Sequence, residues 1–173
     1  MRKLLSIDKI EAFIFDFDGV LTNNKVQLDQ SGKEWVTCSR ADGLAFDALY
    51  LLKKPVFIMS TETNPVVSAR GKKLNVDVIQ GVSDKVMAIK DLVKLKKFHL
   101  ENIFFVGNDL NDYFAMKICG YSACPVDSHP KVKDISKNIL NSEGGNGVIR
   151  ELLEETLNLD LIKILYQDRG VKK

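Results

Sequence analysis

The sequence predicts an α/β layered domain in which helices flank a parallel sheet, and three observations carry that prediction. Short apolar runs recur at Ala12–Phe15, Val56–Met59 and Ile103–Val106, each ending in polar or glycine residues. Segments of helical apolar spacing fill the intervals between them. A cluster of polar residues follows each run directly. Strands alternating with helices imply parallel pairing through right-handed crossovers. Ligands of such sheets sit beyond the carboxyl ends of the strands, where all three polar clusters fall.

Taken in order, Ala12–Phe15 reads as a buried strand released by Asp16-Phe17-Asp18-Gly19. Lys25–Leu28 and Glu34–Cys38 flank Asp29-Gln30-Ser31-Gly32, the pattern of a β-hairpin with a glycine-containing turn. This insertion, about 22–38, interrupts the alternation and is placed to overhang the Asp-x-Asp turn. A helix follows from about Leu44 to Leu52, then the second strand. The next helix covers Asn64 to Leu74, with Pro65 at a tolerated first-turn position. Ser83-Asp84 is an N-cap pair opening a helix to about Lys97. After the third strand a helix covers Asp112–Ile118 and stops at Gly120, and the last covers Gly147–Leu157. A tail of about 158–173 completes one expected domain over 1–173.

The chain has 173 residues, enough for one well-buried core and too few for two comfortable ones. Apolar residues make up 45%, and 25 Lys and Arg balance 23 Asp and Glu. That balance offers no electrostatic attraction for nucleic acid or a membrane surface. No apolar stretch reaches spanning length. The N-terminal segment is interrupted by Asp8, Lys9 and Glu11 before a secretory core could form. Cys38, Cys119 and Cys124 match no zinc spacing, and reduced thiols in a cytoplasmic protein account for them.

Asp16 and Asp18 are two carboxylates at the end of a strand, released by a glycine turn. They suit a hard cation such as Mg²⁺, which takes one or two carboxylates and leaves the rest of its shell to water and phosphate. A carboxylate there can also act as a nucleophile. Asp-x-Asp-Gly equally makes ordinary turns and calcium loops. Ser60, after Val56-Phe57-Ile58-Met59, offers a hydroxyl to a phosphoryl oxygen, or simply caps the next helix. Lys85 stands in a helix's first turn against the dipole, so it has no local electrostatic reason to be there. It is either a surface lysine or a holder of an anion. Asn108, Asp109 and Asp112 form an Asn/Asp-rich turn into a helix, and equally a set of oxygen donors for magnesium.

Asp16/Asp18, Ser60, Lys85 and Asn108/Asp109/Asp112, in that order, make the chain resemble the haloacid dehalogenase superfamily of phosphotransferases over about Ala12 to Glu151. The resemblance implies a Rossmann-like parallel sheet and an Mg²⁺-dependent phosphatase. It implies Asp16 as nucleophile forming an aspartyl-phosphate, and Asp18 as the acid and then base. Ser60 and Lys85 would grip the phosphoryl group. Asp16, the Asp18 carbonyl, and Asn108 or Asp109 would hold the metal, while Asp112 orients Lys85 or metal-bound water. Many relatives carry Asp where this chain has Asn108, which adds no charge to the metal shell.

Only 41 residues separate Asp18 from Ser60, so no mobile cap fits there. The chain then resembles the capless tetrameric branch acting on 2-keto-3-deoxy sugar acids. Gly19-Val20-Leu21-Thr22, Arg40-Ala41-Asp42-Gly43, Gln80–Lys85 and Gly144–Glu151 carry that likeness. Within the branch, eight-carbon phosphatases place Gly-Arg after the motif-two hydroxyl, whereas Thr61-Glu62 stands here. The sialic-acid-type nonulosonate 9-phosphate group places a Glu there and a Lys eleven residues on, matched by Glu62 and Lys73. Lys73 also sits in a Lys72-Lys73 pair on a helix that needs a solvated face. Arg70, Arg40 and Arg150 are candidates for the substrate carboxylate, within one chain or across a subunit boundary in the homotetramer that the resemblance implies. The domain also resembles the C-terminal part of acylneuraminate cytidylyltransferases, which keeps open a low-activity oligomerisation module.

Overall fold

The computed structural model describes residues 5–166. Its strands are β1 (Ala12–Phe15), β2 (Gln27–Leu28), β3 (Glu34–Trp35), β4 (Val56–Met59), β5 (Asp77–Ile79), β6 (Ile103–Val106), β7 (Tyr121–Cys124) and β8 (Asn138–Ile139). Its helices are α1 (Arg40–Leu51), α2 (Pro65–Leu74), α3 (Lys85–Lys96), α4 (Tyr113–Ile118), α5 (Pro130–Ile135), α6 (Val148–Glu151) and α7 (Leu161–Tyr166).

Six strands form one sheet in the order β5-β4-β1-β6-β7-β8, and every pairing in it is parallel. The α/β class and the flanking of the sheet by helices are as the sequence predicts. Alternation along β1 supplies both layers. Phe13 and Phe15 enter one core with Phe46, Leu49, Ile149 and Leu153. Ala12 and Ile14 enter the other with Ile89, Leu92, Ala115 and Val132. Both faces of β1 are sealed, which is why this strand reads as a continuous apolar run. The chain winds outward from β1 through β4 to β5, then restarts on the other side with β6. The switch point therefore lies between β1 and β6, where a crevice opens at the strands' carboxyl ends.

The insertion after β1 is an antiparallel pair, Gln27 opposite Trp35 and Leu28 opposite Glu34. Its base is closed by a bridge between Thr22 and Cys38. Asn64 Nδ2 donates to Glu34 Oε2 at 2.8 Å, tying the hairpin to the start of α2. This holds the flap beside the ends of β1 and β4.

Several boundaries differ from the sequence reading. α1 starts at Arg40 because Ser39 Oγ accepts from Ala41 N at 3.1 Å and caps it. The apolar period that suggested Leu44 misleads, since Leu44 is 40% exposed while Asp42 is buried. Asn64, not Ser60, caps α2, accepting from Val66 N. Asp84 caps α3 through Val86 N and Met87 N, as expected. The helix expected over Asp112–Ile118 is a 3₁₀ turn, Leu110–Asp112, running into α4. The helix expected over Gly147–Leu157 begins as α6 and widens into a π-turn over Leu152–Thr156. Strands β5, β7 and β8 and helices α5 and α7 are additional to the sequence reading. In the tail, Leu161 is buried, and Leu159, Ile164 and Leu165 pack on the same core. Up to Tyr166 the tail covers its own domain. Its remainder, 167–173, lies outside the described residues.

Candidate active site

Asp16 leaves β1 at the switch point, its N–H donating to the Val106 carbonyl of β6 at 2.9 Å. Phe17 turns into the core and is fully buried, so the carboxylates on either side of it share the crevice. A cleft of about 310 Å³ opens there, lined by Asp16, Asp18, Ser60 and Asp109 among others. Three clusters far apart in sequence thus meet at one mouth.

Lys85 is the centre of the charge arrangement. Its Nζ donates to Asp16 Oδ1 at 2.7 Å and to Asp112 Oδ1 at 2.6 Å. All three side chains are nearly sealed from water. Burying a charge is tolerated only when it is paired and hydrogen-bonded, and this lysine has two partners. It is no surface lysine. Burial alone would favour neutral Lys85; its two carboxylate neighbours outweigh that and raise its pKa. Asp16 is pushed up to about 8, by burial first and by repulsion from Asp112 second, with Lys85 opposing. Asp112 also accepts from Asn108 N at 2.9 Å and Asp109 N at 3.3 Å. One carboxylate therefore orients the lysine and shapes the loop after β6. Gly107 permits this approach, because a Cβ there would lie 2.5 Å from the Asp112 Cβ.

Asp18 is half-buried, and burial raises its pKa, with Glu62 and Glu34 adding repulsion. The Thr22 hydroxyl donates to Asp18 Oδ1 at 3.4 Å and accepts from Gly19 N at 3.2 Å. Behind it, the glycine stretch packs on the turn, with Gly145 N donating to the Val20 carbonyl. A Cβ on Gly144 would lie 2.3 Å from the Gly19 carbonyl oxygen. The glycines are there for contact with the Asp-x-Asp turn, which a bare loop would not require. Asp42 holds the far end of that stretch by accepting from Ile149 N at 2.8 Å and Arg150 N at 3.2 Å.

Ser60 is buried at the end of β4 and accepts from Glu62 N at 3.0 Å. Among the described residues its hydroxyl hydrogen meets no protein acceptor and remains available to a ligand oxygen. Glu62 is not part of the cleft wall. Its Oε1 accepts from Thr63 N and Asn64 N at 2.7 and 3.0 Å, although its charge reaches Asp18.

Among the described residues no group of three or more His, Cys, Asp or Glu side chains is placed to hold a metal. A cation here would draw on neutral oxygens as well. The end of the Asn108 amide lies 3.2 Å from Asp16 Oδ2 and 2.8 Å from the Asp18 carbonyl oxygen. Neighbouring ligands of an octahedral Mg²⁺, at 2.0–2.1 Å from the ion, stand roughly 3 Å apart. The donor set and its spacing fit magnesium. Asp109 lines the cleft, but its Oδ1 accepts from Leu110 N at 2.7 Å.

The expected substrate-reading cations do not join this cleft within one chain. Arg40, Arg70 and Lys73 line a separate cavity of about 430 Å³ beside Cys38 and Leu74. Arg70 donates to the Ser39 carbonyl at 2.8 Å, and Arg150 lies 3.6 Å from Glu154. Asn24, Thr61, Leu110 and Asn111 line the cleft without having been singled out as site residues. Asn24 carried a usable signal: it follows the first motif in an Asn-Asn pair, and Asn tolerates the left-handed conformation it adopts, φ 59°.

Comparison with known proteins agrees with this geometry. Residues 57–152 match a family described as haloacid dehalogenase-like hydrolase. The 3-deoxy-D-manno-octulosonate 8-phosphate phosphatase KdsC of Salmonella typhi is 28% identical over 148 residues, 85% of this chain and 79% of that protein. A crystal structure of a protein of Streptomyces avermitilis, assigned to the HAD family of hydrolases, superposes with TM-score 0.88 at 34% identity. It covers 92% of this chain and 91% of its own. The 3-deoxy-D-manno-octulosonate 8-phosphate phosphatase of Moraxella catarrhalis, solved with magnesium, phosphate and KDO, gives 0.84 at 28% identity over 88% of each chain.

Proposed function

This chain belongs to the haloacid dehalogenase-like hydrolase family, and on that premise we propose that it is an Mg²⁺-dependent phosphatase of 2-keto-3-deoxy sugar acids, with a nonulosonate 9-phosphate as substrate. The observation that carries the phosphatase reading is the Lys85 ammonium held 2.7 Å from Asp16 beside a buried Ser60 hydroxyl. That combination pairs a nucleophile with two donors for a phosphoryl group.

Asp16 attacks phosphorus, and the P–O bond to the sugar breaks as the aspartyl-phosphate forms. Two unit charges at 4 Å repel by about 4 kcal/mol at an effective dielectric of 20, and Lys85 offsets part of that for the incoming dianion. Asp18, whose proton burial helps retain, gives it to the leaving oxygen and later takes one from the attacking water. Thr22 keeps that carboxyl turned toward the cleft. Ser60 donates to a phosphoryl oxygen. Asp16, the Asp18 carbonyl and Asn108 would hold Mg²⁺, which supplies charge neutralisation on the transferred group.

No cap segment separates β1 from β4; only the hairpin and α1 lie between them. Water exclusion and substrate reading are then assigned to the hairpin and a neighbouring subunit of a homotetramer. Val26, Leu28 and Trp35 on the hairpin are 53%, 64% and 53% exposed, an apolar surface suited to a second copy. Arg40, Arg70 and Lys73, turned away from their own cleft, would serve a neighbour's.

The Glu62 and Lys73 pattern of the sequence supports the nine-carbon substrate. Glu62 stands outside its own cleft wall with Oε1 held by Thr63 N and Asn64 N, so only its Oε2 would accept hydrogen bonds from a polyol or acylamino chain reaching beyond the cleft. The names of the curated relatives favour a second reading, the eight-carbon 3-deoxy-manno-octulosonate 8-phosphate. Phosphate release from a panel of eight- and nine-carbon esters, with Mg²⁺ and with Asp16→Asn as blank, decides between them. Release selective for a nine-carbon ester supports the first reading, and selectivity for the eight-carbon ester the second. No release above the blank from folded, metal-loaded protein would favour the oligomerisation module.

A further inference from the structure

The Asn108 amide occupies a place where the metal-free and metal-loaded sites demand opposite atoms. Its neighbours there, Asp16 Oδ2 at 3.2 Å and the Asp18 carbonyl at 2.8 Å, are both acceptors. Without a cation, only the amide NH₂ satisfies them; an oxygen would leave two buried acceptors facing a third. With Mg²⁺, only the amide oxygen can ligate, because a carboxamide nitrogen has no lone pair to give. Asn108 is 6% exposed, so water cannot readily stand in for either partner. A Cβ on Gly19 would lie 1.9 Å from this amide, so the bare glycine is what admits it.

We propose that Asn108 is a reversible ligand: its NH₂ bridges Asp16 and the Asp18 carbonyl in the metal-free enzyme, and a half-turn of the amide presents its oxygen to Mg²⁺. This rests on the magnesium reading above and adds a cost and a benefit to it. Metal binding must first break two hydrogen bonds, which weakens affinity. In exchange, the empty site is already closed and ordered. An aspartate at 108 has no such choice, since its carboxylate would face Asp16 while Lys85 already balances both Asp16 and Asp112. It would hold the metal more tightly and tolerate its loss poorly.

The test compares the wild type with Asn108→Asp by thermal unfolding across a Mg²⁺ titration, in chelator and up to millimolar ion. The variant is expected to melt lower than the wild type in chelator, by about 3 °C or more. It should gain more from Mg²⁺, with a midpoint at least about tenfold lower. Side-chain ¹⁵N–¹H spectra of the wild type, labelled at asparagine, give a readout that does not depend on the variant folding. The Asn108 NH₂ pair, assigned with Asn108→Ser, should be protected from exchange in chelator and lose that protection on Mg²⁺ addition. Mg²⁺ stabilisation with a variant as stable as the wild type in chelator, or with an unmoved Asn108 NH₂ signal, overturns the reversal and leaves the magnesium reading standing. No Mg²⁺-dependent shift in melting or in the spectrum overturns both.

Discussion

Lys85 Nζ and Asp112 Oδ1 stand 2.6 Å apart with side-chain exposures of 1% and 0%. The pair bridges the first turn of α3 and the turn before α4, and its other contacts run to Asp16 and to two backbone N–H groups. A lysine at a helix N-terminus opposes the dipole, yet here two carboxylates reverse the local field. Asp16, Lys85 and the loop after β6 are therefore mechanically one unit.

Asp112→Ala removes one partner from that unit and leaves Lys85 with Asp16 alone. Breaking a buried pair from one side costs about 3–5 kcal/mol, and the Asn108 and Asp109 N–H groups lose their acceptor too. Chemical denaturation should show a loss of that order together with near-complete loss of phosphate release. A variant within about 1 kcal/mol of wild type would mean that the pair is not what holds the loop.

Gly19 has φ 85° and a Cβ position 1.9 Å from the Asn108 amide. Gly19→Ala meets a left-handed penalty of about 1–2 kcal/mol and must also displace Asn108. Melting temperature should fall, and stabilisation by millimolar Mg²⁺ should shrink below that of the wild type. Undiminished Mg²⁺ stabilisation would separate Asn108 from the metal.

Asp42 is buried, its pKa raised from 3.8 to about 6 by desolvation, with the Arg150 and Ile149 N–H groups pulling the other way. The fold thus binds this proton more tightly than the unfolded chain does. Its contribution to stability is full below about pH 4 and is lost as pH rises through about 6. Asp42→Asn keeps an acceptor oxygen and removes the titration. The variant should gain on the wild type by about 3 kcal/mol between pH 4 and 7.5. Guanidinium melts at the two pH values measure it, and a variant that loses ground with rising pH contradicts the assignment.

Trp35 and Leu28 stand exposed on the hairpin. If copies of the chain pack there, Trp35→Glu should shift sedimentation from tetramer to monomer. Hydrolysis of a small aryl phosphate should persist, because the Asp16–Lys85 arrangement is internal to one chain. Turnover of a sugar-acid phosphate should fall at least about tenfold, since Arg70 and Lys73 would no longer reach a neighbour's cleft. Sedimentation unchanged by the substitution would assign the hairpin surface to something other than self-association.

How far the sequence could be read differs sharply between elements. The strands β1, β4 and β6 were legible to the residue, because both faces are sealed and the apolar run is continuous. β5 was not, since it is an edge strand of three residues that opens on the exposed Asp77; β7, although it lies inside the sheet, was not either, because Tyr121-Ser122-Ala123-Cys124 makes no continuous apolar run. α1 was misplaced by four residues because its first turn buries a charged residue, Asp42, which periodicity counts as solvent-facing. The Asp16–Lys85–Asn108 constellation was legible through order of motifs, whereas Leu110 and Asn111 at the cleft were hidden in a turn with no periodic signal.

By itself the sequence determined the layered α/β class, the central strands, the hairpin and Asp16, Asp18, Ser60 and Asp109 as residues of the crevice. These follow from short-range apolar patterning and turn chemistry, which act within a few residues. Only the tertiary structure decided that Lys85 meets Asp16 across 69 residues and Asp112 across 27. It alone placed the Asn108 amide against the Asp18 carbonyl, and turned Arg40, Arg70 and Lys73 away from their own cleft. Those outcomes depend on strand order and burial: desolvated charges must find partners wherever the closed sheet brings them, and no local window of the chain contains that choice.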